Sequence, residues 1–105
     1  MVITIFRSRL RPEHADQFRI VADRMLALAR AMPGFLSYKA FASDDGERCS
    51  IIEFDSLEHH RAWREHPEHR QAQHLGRERF YAEYSLYVGE PAHEAHFRHH
   101  PHRKT

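Results

Sequence analysis

At 105 residues the chain fits one domain, and a domain this short buries only ~60–70% of the surface its unfolded chain exposes. With 30% charged residues, a mean hydropathy of −0.76 and a net charge of +1 with histidine neutral, it has a modest apolar supply and no electrostatic case for binding nucleic acid. The lone cysteine, Cys49, excludes an intrachain disulfide and fits a reducing compartment; no apolar run approaches the ~18 residues of a membrane span, and no signal peptide opens the chain, so a cytoplasmic protein is expected.

The opening "VITIFRSRL" is rich in β-branched and aromatic residues and predicts a strand from Val2 to about Leu10. Pro12 suits the first turn of a helix, and Glu13 and Asp16 favour its positive end. Phe18, Val21, Ala22, Met25, Leu28, Ala29 and Met32 follow at helical spacing, until Pro33-Gly34 stops the helix. "FLSYKAFA" predicts a second strand. Asp45-Gly46 predicts a tight turn with positive φ at its central residues, and "RCSIIEF" returns as the third strand. Ser56 is a candidate N-cap for a helix to about Glu65; Pro67 starts another, expected to run to about Phe80. "YAEYSLYV" is the fourth strand.

The order β-α-β-β-α-β predicts an α+β, ferredoxin-like domain: a four-stranded antiparallel sheet with helices on one face. The first strand is apolar on both alternation sets, Ile3 and Ile5 on one and Val2 and Phe6 on the other. A sheet with one wet face lacks that pattern, so a second subunit is expected over the other face. Residues 1–90 are expected to form the domain. Residues 91–105 carry five of the eleven histidines without a core pattern and read as a tail.

"WREHPEHR" holds the lone Trp63 beside two histidines and Pro67; with residues 56–66 helical, spacing puts His59, Ala62, Trp63 and His66 on one stripe, with His60, Arg61, Arg64 and Glu65 directed mostly to solvent. Trp63 is expected to face the sheet. His59 and His66 are ~10 Å apart along the helix, too far to share one metal ion. His93, His96 and His100 of the tail could share a helical face and hold a metal loosely, but no metal site is assigned. Glu53 lies among apolar residues of the third strand; turned inward it would serve as a base, and otherwise Arg7 or Arg9 is at hand to pair with it. No Gly-rich phosphate loop, GxSxG or HExxH is present.

The element order, together with "MPGFLSYKAF", "DGERCSIIEFDS", "AWREHPEHR" and "GRERFYAEY", resembles the antibiotic biosynthesis monooxygenase (ABM) domain family over about residues 1–90. The resemblance implies a dimeric α+β barrel in which two sheets pack together. It also implies oxidation of a small electron-rich aromatic, a quinol, anthrone or similar ring, by O₂ without metal, flavin or other cofactor. Such a substrate, once deprotonated, can pass an electron to O₂ itself, so the protein need supply only a cavity, orienting groups and exclusion of water.

Carried over residue by residue, the resemblance makes Trp63 a cavity wall. His66 and His69 become proton acceptors or hydrogen-bond donors to a phenolate, His69 matching the family's recurring histidine. Tyr38, Glu53 and Arg7 are further candidates for orienting the ligand. A heme-degrading branch of the family pairs a first-strand Asn with a Trp and a His. His74 is the nearest counterpart of that His, but the chain has no asparagine, with Arg7 or Ser8 at its place, which argues against heme. The alternative to an enzyme is a non-catalytic dimeric module that binds a small molecule.

Overall fold

The computed structural model describes residues 1–99. The β-branched opening forms β1 (Val2–Leu10), and Pro12 begins a 3₁₀ turn (Pro12–His14) that leads into α1 (Ala15–Ala31). β2 (Phe35–Ala42) and β3 (Arg48–Phe54) follow as a hairpin, then α2 (Leu57–Arg64), α3 (Pro67–Leu75) and β4 (Tyr81–Gly89). The sheet order is β2-β3-β1-β4 and every pairing is antiparallel, the ferredoxin-like arrangement.

Two local details depart from the sequence expectations. In the hairpin, Gly46 N–H donates to the Ser43 carbonyl at 3.0 Å and only Gly46 has positive φ, at +90°. Asp44 and Asp45 stay in ordinary backbone regions, so the turn spends its one left-handed residue on the one that has no Cβ. The last helix does not run regularly to Phe80: α3 ends at Leu75, and Gly76–Phe80 winds as a π-turn before β4. Each of the two helices is N-capped by a side chain. Ser56 Oγ accepts from His59 N–H at 3.2 Å at the start of α2, and His66 Nδ1 accepts from Glu68 N–H at 3.1 Å at the start of α3, with Pro67 at the first helical position.

Strand alternation divides β1 between two faces. Val2, Thr4 and Ser8 are buried beneath the helices, with Phe6 on the same face; Ile3, Ile5, Arg7 and Arg9 take the other. At one end of the layer, Leu28 and Ala29 of α1 meet Ile52 and Phe54 of β3 and Trp63 of α2 in a dry core, where Phe54 and Trp63 stack with ring centres 5.4 Å apart. On the helix-free face, register aligns Ile5 with Ile51 and Tyr87, and Cys49 with Arg7 and Phe41. Ile5, Phe41 and Tyr87 there are 38%, 47% and 57% exposed.

Residues 91–99 form no helix or strand, so His93 and His96 share no helical face, and His100 lies outside the described residues. Among the described residues no group of three or more potential ligands could hold a metal ion, and no helix is long and apolar enough to cross a membrane.

Candidate active site

Away from the dry core, the helices and sheet separate around a cavity of about 330 Å³. The widening follows from side-chain choice. Thr4, Ser8 and Ser50 are small residues on the inward positions of β1 and β3, while Val21, Ala22 and Met25 are the facing part of the α1 stripe. Aromatic rings form the walls. Phe6 lies 5.2 Å from both Tyr81 and Tyr84, and Phe18 lies 5.6 Å from Phe80 and 6.0 Å from Tyr81. Opposite them stand Trp63 and His69, their ring centres 4.3 Å apart.

Trp63 is 4% exposed, and its Nε1–H is buried with no hydrogen-bond acceptor among the described residues. A buried donor without an acceptor is costly; this one has under 1 Å² of accessible surface, so it is the Trp63 ring that borders the cavity. His69 shares Nδ1 with the Gln73 amide at 2.8 Å and hydrogen-bonds the Arg64 backbone carbonyl. Burial lowers its pKa to about 4, with the charges of Arg64, His60 and His66 acting in the same direction, so the imidazole is neutral near pH 7.

The phenols are held protonated. Burial pushes Tyr81 up to about 12, and neighbouring Tyr38 and Tyr84 add to the rise. Burial also raises Tyr38, against a hydrogen bond to Ser50 and the charge of Arg48. The cavity thus offers neutral donors, a neutral base and π-faces, with Arg48, Arg64 and Arg77 also on its wall.

Of the residues singled out by sequence, the structure brings Trp63, His69 and Tyr38 together on this cavity. The others stand elsewhere. His66 is the cap of α3 and is not among the lining side chains. His74 is exposed and faces Glu78 at 3.2 Å. Arg7 and Glu53 lie on the helix-free face. Arg7 pairs with Glu47 at 2.9 Å, and Glu53 accepts from the Ser37 hydroxyl at 2.5 Å. The expected Glu53–arginine pair does not form, because the register sets Glu53 opposite Ile3 and Ser37 while Arg9 reaches Asp45 and Glu83.

The α2 stripe is also corrected. His60, expected in solvent, is 1% exposed and its Nε2 meets Thr4 Oγ1 at 2.6 Å; His59 instead pairs with Asp55 at the surface, also at 2.6 Å. The helix ends at Arg64, so the inward face is set by His60 and Trp63, three residues apart, and does not continue to His66. Burial depresses His60 as well, aided by the charge of Arg64, which keeps this ring neutral. Arg48 was likewise passed over. It lies at the start of β3 with its guanidinium 5.4 Å from the Phe18 ring centre, on the cavity wall. Its parity with Ile52 and Phe54 was the available signal.

Comparison with known proteins finds relatives in sequence and in fold. A Bacillus subtilis protein, the uncharacterized YqjZ, is 32% identical over 81 residues, spanning 77% of this chain and 71% of its own. The solved structure of Rv0793 from Mycobacterium tuberculosis superposes with a TM-score of 0.78 at 26% identity, covering 90% of this chain and 98% of that one. SnoaB from Streptomyces nogalater, a cofactor-independent oxygenase, shares the fold with a TM-score of 0.75 at 16% identity, over 89% of this chain and 94% of its own. Residues 1–75 match the antibiotic biosynthesis monooxygenase family, and the chain belongs to that family.

Proposed function

We propose that the protein oxidises a small electron-rich aromatic with O₂ in the cavity between helices and sheet, with no metal, flavin or other cofactor. The observation that carries this reading is the contact of a neutral, half-buried His69 with the Trp63 ring on the wall of an aromatic-lined cavity. The volume lies at the lower end of the ~300–1,000 Å³ typical of small-molecule sites. SnoaB, which has the same fold, is a cofactor-independent oxygenase, and that description is extended here to this chain.

The chemistry follows from the site. A phenol or anthrone stacks on the Trp63 ring, and His69 takes the acidic proton at Nδ1, where the Gln73 amide gives way. A free imidazolium is disfavoured in this setting, but the substrate anion formed in the same step offsets its charge, and the Arg64 carbonyl accepts from it. The anion gives one electron to O₂, the radical pair closes a C–O bond, and the resulting hydroperoxide loses water. In sum a ring CH₂ plus O₂ becomes C=O plus H₂O, with all four electrons from the substrate. Protonated Tyr38 and Tyr81 are hydrogen-bond donors to the developing oxyanion, and exclusion of water limits side reactions.

The reading includes a homodimer formed through the helix-free sheet faces, supported by the exposed apolar residues Ile5, Phe41 and Tyr87. It takes residues 1–90 as the functional domain, 91–105 as a tail, and the cytoplasm as the setting, which the lone Cys49 supports.

The test is O₂ uptake by metal-stripped protein on a panel of anthrones and quinols, with His69→Ala and His66→Ala alongside. Uptake should exceed the autoxidation blank. It should fall ~10²–10⁴-fold in the His69 variant, the usual worth of a positioned base, and change little in the His66 variant. Loss in the His66 variant alone would remove His69 from the mechanism. Tight binding of the same aromatics without uptake would favour the non-catalytic binding module.

A further inference from the structure

Among the described residues Arg48 is a cation with no counter-ion, in a cavity lined mostly by rings and neutral polar groups. The ion pairs of the described residues engage Arg7, Arg9, Arg11 and Arg24, each with a carboxylate on the surface. Arg48 is in none of them, and no carboxylate of the described residues comes within the 4.0 Å of an ion pair. Its guanidinium lies over Phe18, its charge acts on both Tyr38 and Tyr81, and it is itself partly buried. Among the described residues Asp23 is the only acidic side chain on the cavity wall, and it sits on an exposed position of α1. Arg64 and Arg77, also on the wall, add positive charge rather than neutralise it.

A partly buried guanidinium without a carboxylate has an open demand for an anion, and the planar fork suits a carboxylate or an oxyanion better than any neutral group. We infer that the cavity selects aromatics that carry an acid group, a hydroxylated aromatic carboxylic acid being the class that fits, and that Arg48 is the residue that determines this specificity. The inference rests on the aromatic-binding reading of the same cavity and names its substrate class. The ring packs between the Trp63 and Phe6–Tyr81 walls, and the carboxylate lies at the β3 end against Arg48. Fixing the acid group there orients the ring, so the electron-rich carbon is presented to O₂ in one pose.

The experiment is calorimetric titration of the full chain with 1-hydroxy-2-naphthoate, its methyl ester and 1-naphthol, in the wild type, Arg48→Met and Arg48→Lys, with Tm recorded for each. The acid should bind the wild type roughly ten- to hundredfold more tightly than the ester, the usual worth of a charge-assisted contact. Arg48→Met should erase that preference while leaving the ester's affinity unchanged, which also certifies the fold of the variant, and Arg48→Lys should retain part of it. Equal binding of acid and ester by the wild type, or equal weakening of both in Arg48→Met, would overturn the assignment while leaving the aromatic cavity standing. Failure of all three ligands to bind would overturn both. Acid preference without O₂ uptake on the corresponding hydroxylated acids would sustain the specificity assignment and count against oxygenation alone.

Discussion

At the scale of single residues, the site depends on which polar groups burial keeps neutral. His69 illustrates the sign. Its folded pKa is depressed to about 4, whereas in the unfolded chain it titrates near ~6.5. Between those values the unfolded chain binds the extra proton, so the stability tied to the neutral ring is complete above pH ~6.5. It is lost as pH falls through about 4. His60, depressed by the same cause, contributes in the same direction. Urea unfolding of His69→Gln should therefore show a shallower fall of stability with acidification than wild type, by up to one proton in the slope. An unchanged slope would contradict a buried neutral imidazole at this position. Of the sequence candidates Trp63, His69 and Tyr38 line the cavity: helical spacing pointed Trp63 at the sheet, while His69 and Tyr38 came from the family resemblance. Sequence reading missed His60, since the stripe was anchored on His66, and only the chain's turn after Arg64 shows that the inward face stops at Trp63. It assigned Arg7 and Glu53 to the ligand because a strand's pattern does not say which of two apolar faces the helices cover.

At the scale of elements, the π-turn at Gly76–Phe80 is the feature least legible beforehand and most closely tied to the cavity. A regular helix would have carried on to Phe80; the wider turn delivers Phe80 to the core side and Tyr81 to the start of β4, where both line the site. Gly76 permits this because the Tyr81 ring lies against its backbone: a Cβ added there would sit 2.6 Å from the ring's Cε2. Gly76→Ala must push Tyr81 into Phe6 and Phe18, with which it packs edge to face. We expect a loss of about 1–3 kcal/mol, the usual cost of overpacking, together with weaker binding of aromatics. A Tm equal to wild type would show that the ring has room to yield. The strands and α1 were legible nearly to the residue, since alternation and a four-turn apolar stripe are strong signals. The π-turn was not, because "GRERF" has no periodicity that distinguishes it from an ordinary last helical turn.

At the scale of the molecule, the sheet has two apolar faces and helices for only one. Ile5 and its register neighbour Tyr87 lie in the middle of the uncovered face. Sedimentation at micromolar protein should give twice the chain mass of 12.5 kDa, and Ile5→Lys should return it to that single mass, because a charge at a packed sheet interface is costly. A native protein at the single mass would remove the paired-sheet assembly.

The central claim is that an aromatic in the cavity reacts with O₂ by means of its own electrons. The most direct measurement is turnover of anthrone by metal-stripped protein under ¹⁸O₂, with the product analysed by mass spectrometry. The account predicts one labelled oxygen in each anthraquinone formed above the blank, one O₂ consumed per product, and loss of that excess in His69→Ala. Excess product without label, or labelled product formed no faster than by autoxidation alone, would contradict it.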